Sequence, residues 1–593
     1  MTSIDDLFKR PFLPSSGAGP ATNKRKYEPS DAESAYKSAK LSDSSDAKGG
    51  SSSQASVAEE ESEDDVEAGP EMPPEEEEVA DDEEGRFFGG GVTKSTTAAM
   101  NFIDQADEEN YVPEKIDVSW LRRLAINFER KINRNAELRA KHEGDPAKFM
   151  ASEADLDTEI KSLSILSQHT ELYAEFAKVG CAGSLVSLLA HENTDIAIDA
   201  MEIISELTDQ DVDAETGAWD SFVAALLDSD LVNLIVQNFD RLDENLESDR
   251  AGVYHALSVL ENLASNPVIA GKIGSDLVLN YLIRRIQARE KTVSQNKQYA
   301  AEVLQVLVQS SSQIQDKLIK DNNGVDLMVT LVGAYRRLDP ERDSTDEEYA
   351  EDLFDALTVI LQPPAGKKAF IVAEGIELAI IMVKNAGFSI TRALKLLDHA
   401  MAGPSDESRQ VAERVVEAAG LKVLFGTFSK EGGKDKAALE HLIGIFSALL
   451  RLLPGESSHR IRTLAKFVEK DFAKLAKLVS LRFDYAARVR LVDQQIATER
   501  KQLSKQEIVE REDDWFSRRM DVGLYCLQTL DVILSWLVAE DAGARKKTIE
   551  LLKDRDEGLA DLKKSLQVQL DGVDATQEGH NGDMLQALID CLA

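Results

Sequence analysis

Cysteine is scarce in these 593 residues: Cys181, Cys526 and Cys591 are far apart and odd in number. They give neither a disulfide framework nor a zinc-ligand spacing, which points to a reducing compartment. Basic charge is also in deficit, with 68 Lys+Arg against 107 Asp+Glu and a formal net charge of −39. Duplex nucleic acid rewards a basic footprint, and this chain would on average repel phosphate, so no direct nucleic-acid partner is expected. The longest apolar run, Val522 to Ala539, carries Asp531 at its middle, which would cost about 2.5–3.5 kcal/mol at a bilayer centre. A buried helix is the better reading, with no membrane partner. Asp5, Asp6, Lys9 and Arg10 interrupt the first apolar residues, so no signal-peptide pattern forms. Aromatics are only 6%, but 43% hydrophobic residues suffice for a large core. A length prior of about 150 residues per domain gives about four units, unless one extended architecture takes the whole chain.

Residues 1–98 are dominated by Ser, Ala, Gly, Pro and charge and lack apolar periodicity. Such a segment cannot offset its ordering entropy by burial, and a disordered tail is expected. Within it, Glu59 to Glu84 holds sixteen acidic residues and no basic one. Lys9-Arg10, thirteen residues, then Lys24-Arg25-Lys26 has the layout of a bipartite nuclear localisation signal, against a bland reading as solvated charge. Ser56 and Ser62 each have an acid three residues on, which suits phosphorylation by an acid-directed kinase.

From Glu114 the pattern turns to helical periodicity with few prolines. Short segments of a small residue followed by an apolar helix begin at Gly180, Ser229, Gly274, Gly324, Gly375 and Gly420, at intervals of 49, 45, 50, 51 and 45 residues. Most are followed by a second amphipathic helix, as at Ile196–Thr208, His255–Pro267, Gln298–Gln309 and Glu348–Leu361. Neither helix buries its stripe alone, so the repeats must stack into a continuous core. The anchor glycine is expected to permit a sharp turn between the helices. The fold class is therefore all-α, an armadillo/HEAT-type right-handed α-solenoid. Its expected parts are a disordered tail over 1–98, a helical N-terminal cap over 99–168, repeats over 169–456 and a helical C-terminal region over 457–593. Trp515 to Val538, the most apolar stretch, either caps the repeats or pairs with another copy.

Catalytic chemistry finds little support. Gly89 to Ser95 has the flavour of a phosphate loop, but Thr93 stands where the glycine before Lys94 should be, and no strand precedes it. HExxH, CxxC and a nucleophile elbow are absent. His399, beside Asp398, is read as a structural histidine rather than a base. No catalytic residue, cofactor or metal is expected. The basic helix Trp120 to Lys141 (Arg122, Arg123, Arg130, Lys131, Arg134, Arg139, Lys141) lacks aromatics for base stacking and is read as a solvated cap.

In armadillo repeats the last helix lines the binding face. The import adaptors of that class carry on it a Trp and, four residues on, an Asn. Aligned here, the Trp positions hold Glu202, Ser258, Glu302 and Asp355, and the Asn positions hold Glu206, Asn262, Val306 and Val359. The missing tryptophans argue against an import carrier, the alternative function. The carboxylates would instead attract Lys/Arg-rich segments. A one-residue shift in alignment would turn the same acids to solvent. The candidate peptide-binding set is Glu202, Glu206, Asn262, Glu302 and Asp355.

Six stretches carry a resemblance: Arg86–Gly91 (RFFGGG), Lys148–Ser167, His191–Asp211, Ile235–Glu244, Ala393–Pro404 and Asp513–Leu527 (DDWFSRRMDVGLYCL). Together they resemble the beta-catenin-like protein 1 family of nuclear, spliceosome-associated armadillo proteins, in a form expected to be fungal. The resemblance implies a non-enzymatic nuclear scaffold that binds basic, localisation-signal-like segments of splicing factors, including the Myb-like cell-division-cycle-5 protein. It also implies self-association, which the C-terminal helices could serve as a homodimer interface.

Overall fold

The structure, a computed structural model, describes residues 115–592 apart from 213, 321–322, 386, 432–434 and 573–578. Lys9, Arg10, Lys24, Arg25, Lys26, Ser56, Ser62 and the acidic block lie outside the described residues. Every regular element among the described residues is helical, and these residues divide into two compact units.

The smaller unit holds 115–181 and 215–219 among the described residues. Its helix α1 (Val118–Lys141) starts at Asp117, whose carboxylate accepts from the amides of Ser119 and Trp120 at 2.9 and 3.0 Å. Leu121, Ala125 and Phe128, spaced four and three apart, are buried. The helix packs on α2 (Met150–Ser162), where Asn135 Nδ2 donates to Ser152 Oγ at 3.0 Å. Arg122 pairs with Glu175 at 2.6 Å, Lys131 with Glu159 at 2.8 Å, and Arg139 with Glu153. The basic helix is thus partly neutralised inside its own unit, which weakens any polyanion reading further.

The larger unit holds 182–214 and 220–592. Six helices form its spine: α3 (Thr194–Leu207), α4 (Glu247–Ala264), α5 (Gln295–Ser310), α6 (Thr345–Ile360), α7 (Ser389–Ala400) and α8 (Lys436–Leu452). Each packs against the next. Ala300, Ala301, Ala350 and Ala356, none more than 1% exposed, let α5 and α6 approach closely. Ahead of α4 to α8 run the shorter helices Leu231–Arg241, Asp276–Gln287, Gly324–Val332, Gly375–Asn385 and Gly420–Glu431. These begin where the repeated anchors were read, and from Pro267 onward a further short helix precedes each of them. The repeat is therefore three helices long.

The expected turn glycine is found at Gly180 (φ 89°), but the later anchor glycines have a different cause. The left-handed turn falls one residue earlier, at Asn323 (φ 49°), Glu374 (φ 55°) and Ala419 (φ 59°). The glycine itself is required by close approach: a Cβ on Gly375 would lie 2.0 Å from the Phe370 ring, which is 1% exposed and cannot retreat. Gly375→Ala is accordingly expected to cost about 1–3 kcal/mol through overpacking, read as a lower midpoint in urea unfolding.

Beyond α8, helix α9 (Ser458–Arg500) breaks at Glu469–Phe472, where Lys470, Asp471 and Phe472 adopt left-handed φ of 53–61°. Glu469 clasps the break, accepting from Lys466 at 3.0 Å on one side and from Lys474 on the other. Helix α10 (Leu524–Glu540) packs on α8 and α9, and α11 (Ala542–Lys553) on α9 and α10. Trp515, Leu530, Ile533, Leu534 and Leu537 are fully buried, so the most apolar stretch covers the exposed face of the last repeat. A ring cluster continues the core from repeat to α9: Phe425–Phe446 at 4.4 Å, Phe425–Phe467 at 4.7 Å and Phe428–Phe446 at 5.3 Å between centroids. Among the described residues, no single helix is long and apolar enough to cross a membrane.

Candidate protein-interaction face

The spine helices are started by side chains that fix their register. Asn193, Ser294 and Ser344 accept from amides in the first turns of α3, α5 and α6. With the apolar stripe turned inward, Glu202 and Glu206 on α3, Glu302 on α5 and Asp355 on α6 are each left half-buried on the spine. Between them α4 contributes Glu261, whose Oε2 accepts from Tyr299 on α5 at 2.6 Å.

Asn262, the one candidate that keeps the adaptor Asn, is 1% exposed. Its Nδ2 donates to the Ser205 carbonyl at 3.0 Å, beside a Ser205–Ser258 hydroxyl bond of 2.8 Å. Ser258 and Asn262 thus stitch α4 to α3 rather than projecting from them.

Sequence reading missed the group at the middle of this face. Gln298 Nε2 lies 3.2 Å from Glu302 Oε2 and 3.0 Å from Asp352 Oδ2, bridging α5 to α6. Burial, then the neighbouring Glu302, hold the Asp352 carboxyl well above the usual carboxylate range; Asp355 and Glu348 push the same way, and the Gln298 amide opposes them. An acid three residues before Asp355 was legible in the sequence, but its juxtaposition with Glu302, fifty residues away, was not.

Asp355 has a cation of its own: Lys395 Nζ of α7 lies 2.7 Å from Oδ1, and Arg392 of α7 pairs with Glu351. The acidic run is interrupted there. It resumes as Asp398 on α7, which meets His441 Nδ1 of α8 at 3.0 Å, and as Glu440 on α8, whose carboxyl burial pushes up.

Among the described residues, no group of His, Cys, Asp and Glu could hold a metal ion. Burial raises the thiols of Cys181 and Cys526 to about 12, so neither is a thiolate near neutral pH. Burial lowers His399 from 6.5 to about 4. The unfolded chain therefore takes up that proton first, and this contribution to stability is lost as pH falls from about 6.5 through 4. Melting curves across that window are expected to fall less for His399→Gln than for the native chain.

Three-helix repeats stacked through their last helices define an armadillo-type repeat protein. The description "Catenin-beta-like, Arm-motif containing nuclear" belongs to a family model that matches residues 97–567. The chain belongs to this catenin-beta-like family, and the protein is nuclear, as the family is described. It is 36% identical to the beta-catenin-like protein 1 homolog of Schizosaccharomyces pombe over 77% of this chain and 78% of that protein. It is 32% identical to human beta-catenin-like protein 1 over 71% of this chain and 76% of that protein. A solved chain from work on the phosphorylation switch between cadherin and beta-catenin is 12% identical, with a TM-score of 0.46, covering 80% of this chain and 85% of that one.

Proposed function

We propose that this protein is a non-enzymatic scaffold of the pre-mRNA splicing machinery. In this reading it holds basic, localisation-signal-like segments of splicing factors, the Myb-like cell-division-cycle-5 protein among them, against the acidic spine face. The observation that carries the proposal is the placement of carboxylates on four consecutive spine helices: Glu202 and Glu206, then Glu261, then Glu302, then Asp352. Like charges crowded around Asp352 make its ionisation costly, and a ligand ammonium or guanidinium would relieve that cost. Asn262 serves the face by holding α3 to α4, and Asp355 is neutralised by Lys395. Self-association through the C-terminal helices belongs to the same reading and would use their exposed apolar residues, Leu491 and Val509.

The test is fluorescence anisotropy of a labelled Lys/Arg-rich splicing-factor peptide, titrated with protein at two salt concentrations. Micromolar or tighter binding that weakens steeply with salt is expected. Binding indifferent to salt, or none, would remove the acidic face from the account.

A further inference from the structure

The acidic face is not uniform. One patch, on α3 to α6, centres on Glu302 and Asp352; a second, on α7 and α8, is Asp398 and Glu440; the Asp355–Lys395 pair lies between them. From α5 to α8 there are three helix steps, about 24–30 Å at 8–10 Å each. The chain itself contains a segment with matching layout, Lys9-Arg10 and Lys24-Arg25-Lys26, whose thirteen intervening residues span up to about 43–47 Å when extended.

Accepting the face as a basic-peptide site, we infer that the chain's own Lys9–Lys26 segment occupies it in cis, one basic cluster on each acidic patch, and competes with basic partners. The inference rests on the reading given under Proposed function, and adds the identity of a resident ligand. Charge complementarity favours it: the acidic block Glu59–Glu84 has the wrong sign for this face, and the basic clusters have the right one. Reach does not limit it. Eighty-eight residues separate Lys26 from Lys115, a contour of about 290–320 Å. Tethering supplies the affinity, because a segment of the same chain is present at high effective concentration even where its intrinsic binding is weak. A partner must then displace it, and occupancy of the face becomes a contest between the resident segment and arriving ones.

The test uses the full chain and a labelled, unrelated peptide with two Lys/Arg clusters, at low salt. Replacing Lys9, Arg10, Lys24, Arg25 and Lys26 by Ala is expected to tighten peptide binding about tenfold. Unchanged affinity would overturn the inference while leaving the face as a site. Tightening produced instead by removing Glu59–Glu84, with no effect of the alanine set, would overturn it too and assign the competition to the acidic block. A labelled peptide of residues 1–30 should bind the alanine-substituted chain and lose that binding with Glu302→Lys. Failure of the 1–30 peptide alone defeats the inference; failure of every basic peptide defeats the underlying function as well.

Discussion

Glu202→Lys, Glu206→Lys and Glu302→Lys combined are expected to weaken basic-peptide binding at least about a hundredfold. A hydrogen bond to a charged group contributes about 1.5–3 kcal/mol, and about 1.4 kcal/mol is a factor of ten in affinity. Losing even two such contacts, with repulsion replacing attraction, exceeds that mark. The three residues lie on α3 and α5, half-buried, and none belongs to the apolar stripe that stacks the repeats. The variant should therefore keep the melting profile of the native chain. The salt dependence is the second readout: the remaining binding should fall less steeply with ionic strength than that of the native chain. Native affinity in the triple variant would remove this face from the account and direct attention to α9 to α11.

Removing the guanidinium at the heart of the C-terminal helices gives the largest expected loss of stability. Arg482, 5% exposed on α9, donates from Nε to Asp531 Oδ1 at 2.5 Å and from Nη1 to Glu557. Asp531 is 1% exposed, in the middle of the long apolar helix α10. Arg482→Ala would leave that carboxylate buried without a cation, at a cost of about 3–5 kcal/mol. Thermal or urea unfolding should register the change. Arg482→Met with Asp531→Leu should recover most of it, because an apolar pair of similar volume needs no counter-ion. Failure of the double variant to recover would mean that Glu557, which in both keeps only Arg490 at 3.5 Å, dominates the penalty.

Asp531 also illustrates what could be read before the fold was known. Its presence in an apolar run argued against a bilayer span, because a carboxylate at the centre of a spanning helix is costly whatever the fold. Its partner, forty-nine residues earlier, could not be read. The same limit applies at the candidate face. Glu202, Glu206 and Glu302 were found by aligning helices, since repeat register is a short-range property. Asp352 was missed because its importance comes from Gln298 and Glu302 on the neighbouring helix. Asp355 and Asn262 were found by the same alignment, but the alignment could not show that one meets Lys395 and the other is spent on the Ser205 carbonyl.

The sequence by itself determined the all-helical class, the repeat interval near 48 residues, the position of the second helix in each repeat and the acidic balance of the chain. These follow from periodicity, from small residues at fixed offsets and from composition, all of them local or summed quantities. Only the tertiary structure decided which acids meet, which are neutralised by α7, and that the apolar C-terminal helix covers the last repeat. Those depend on pairs of residues some fifty positions apart brought within a few ångströms, and neither periodicity nor composition carries that information.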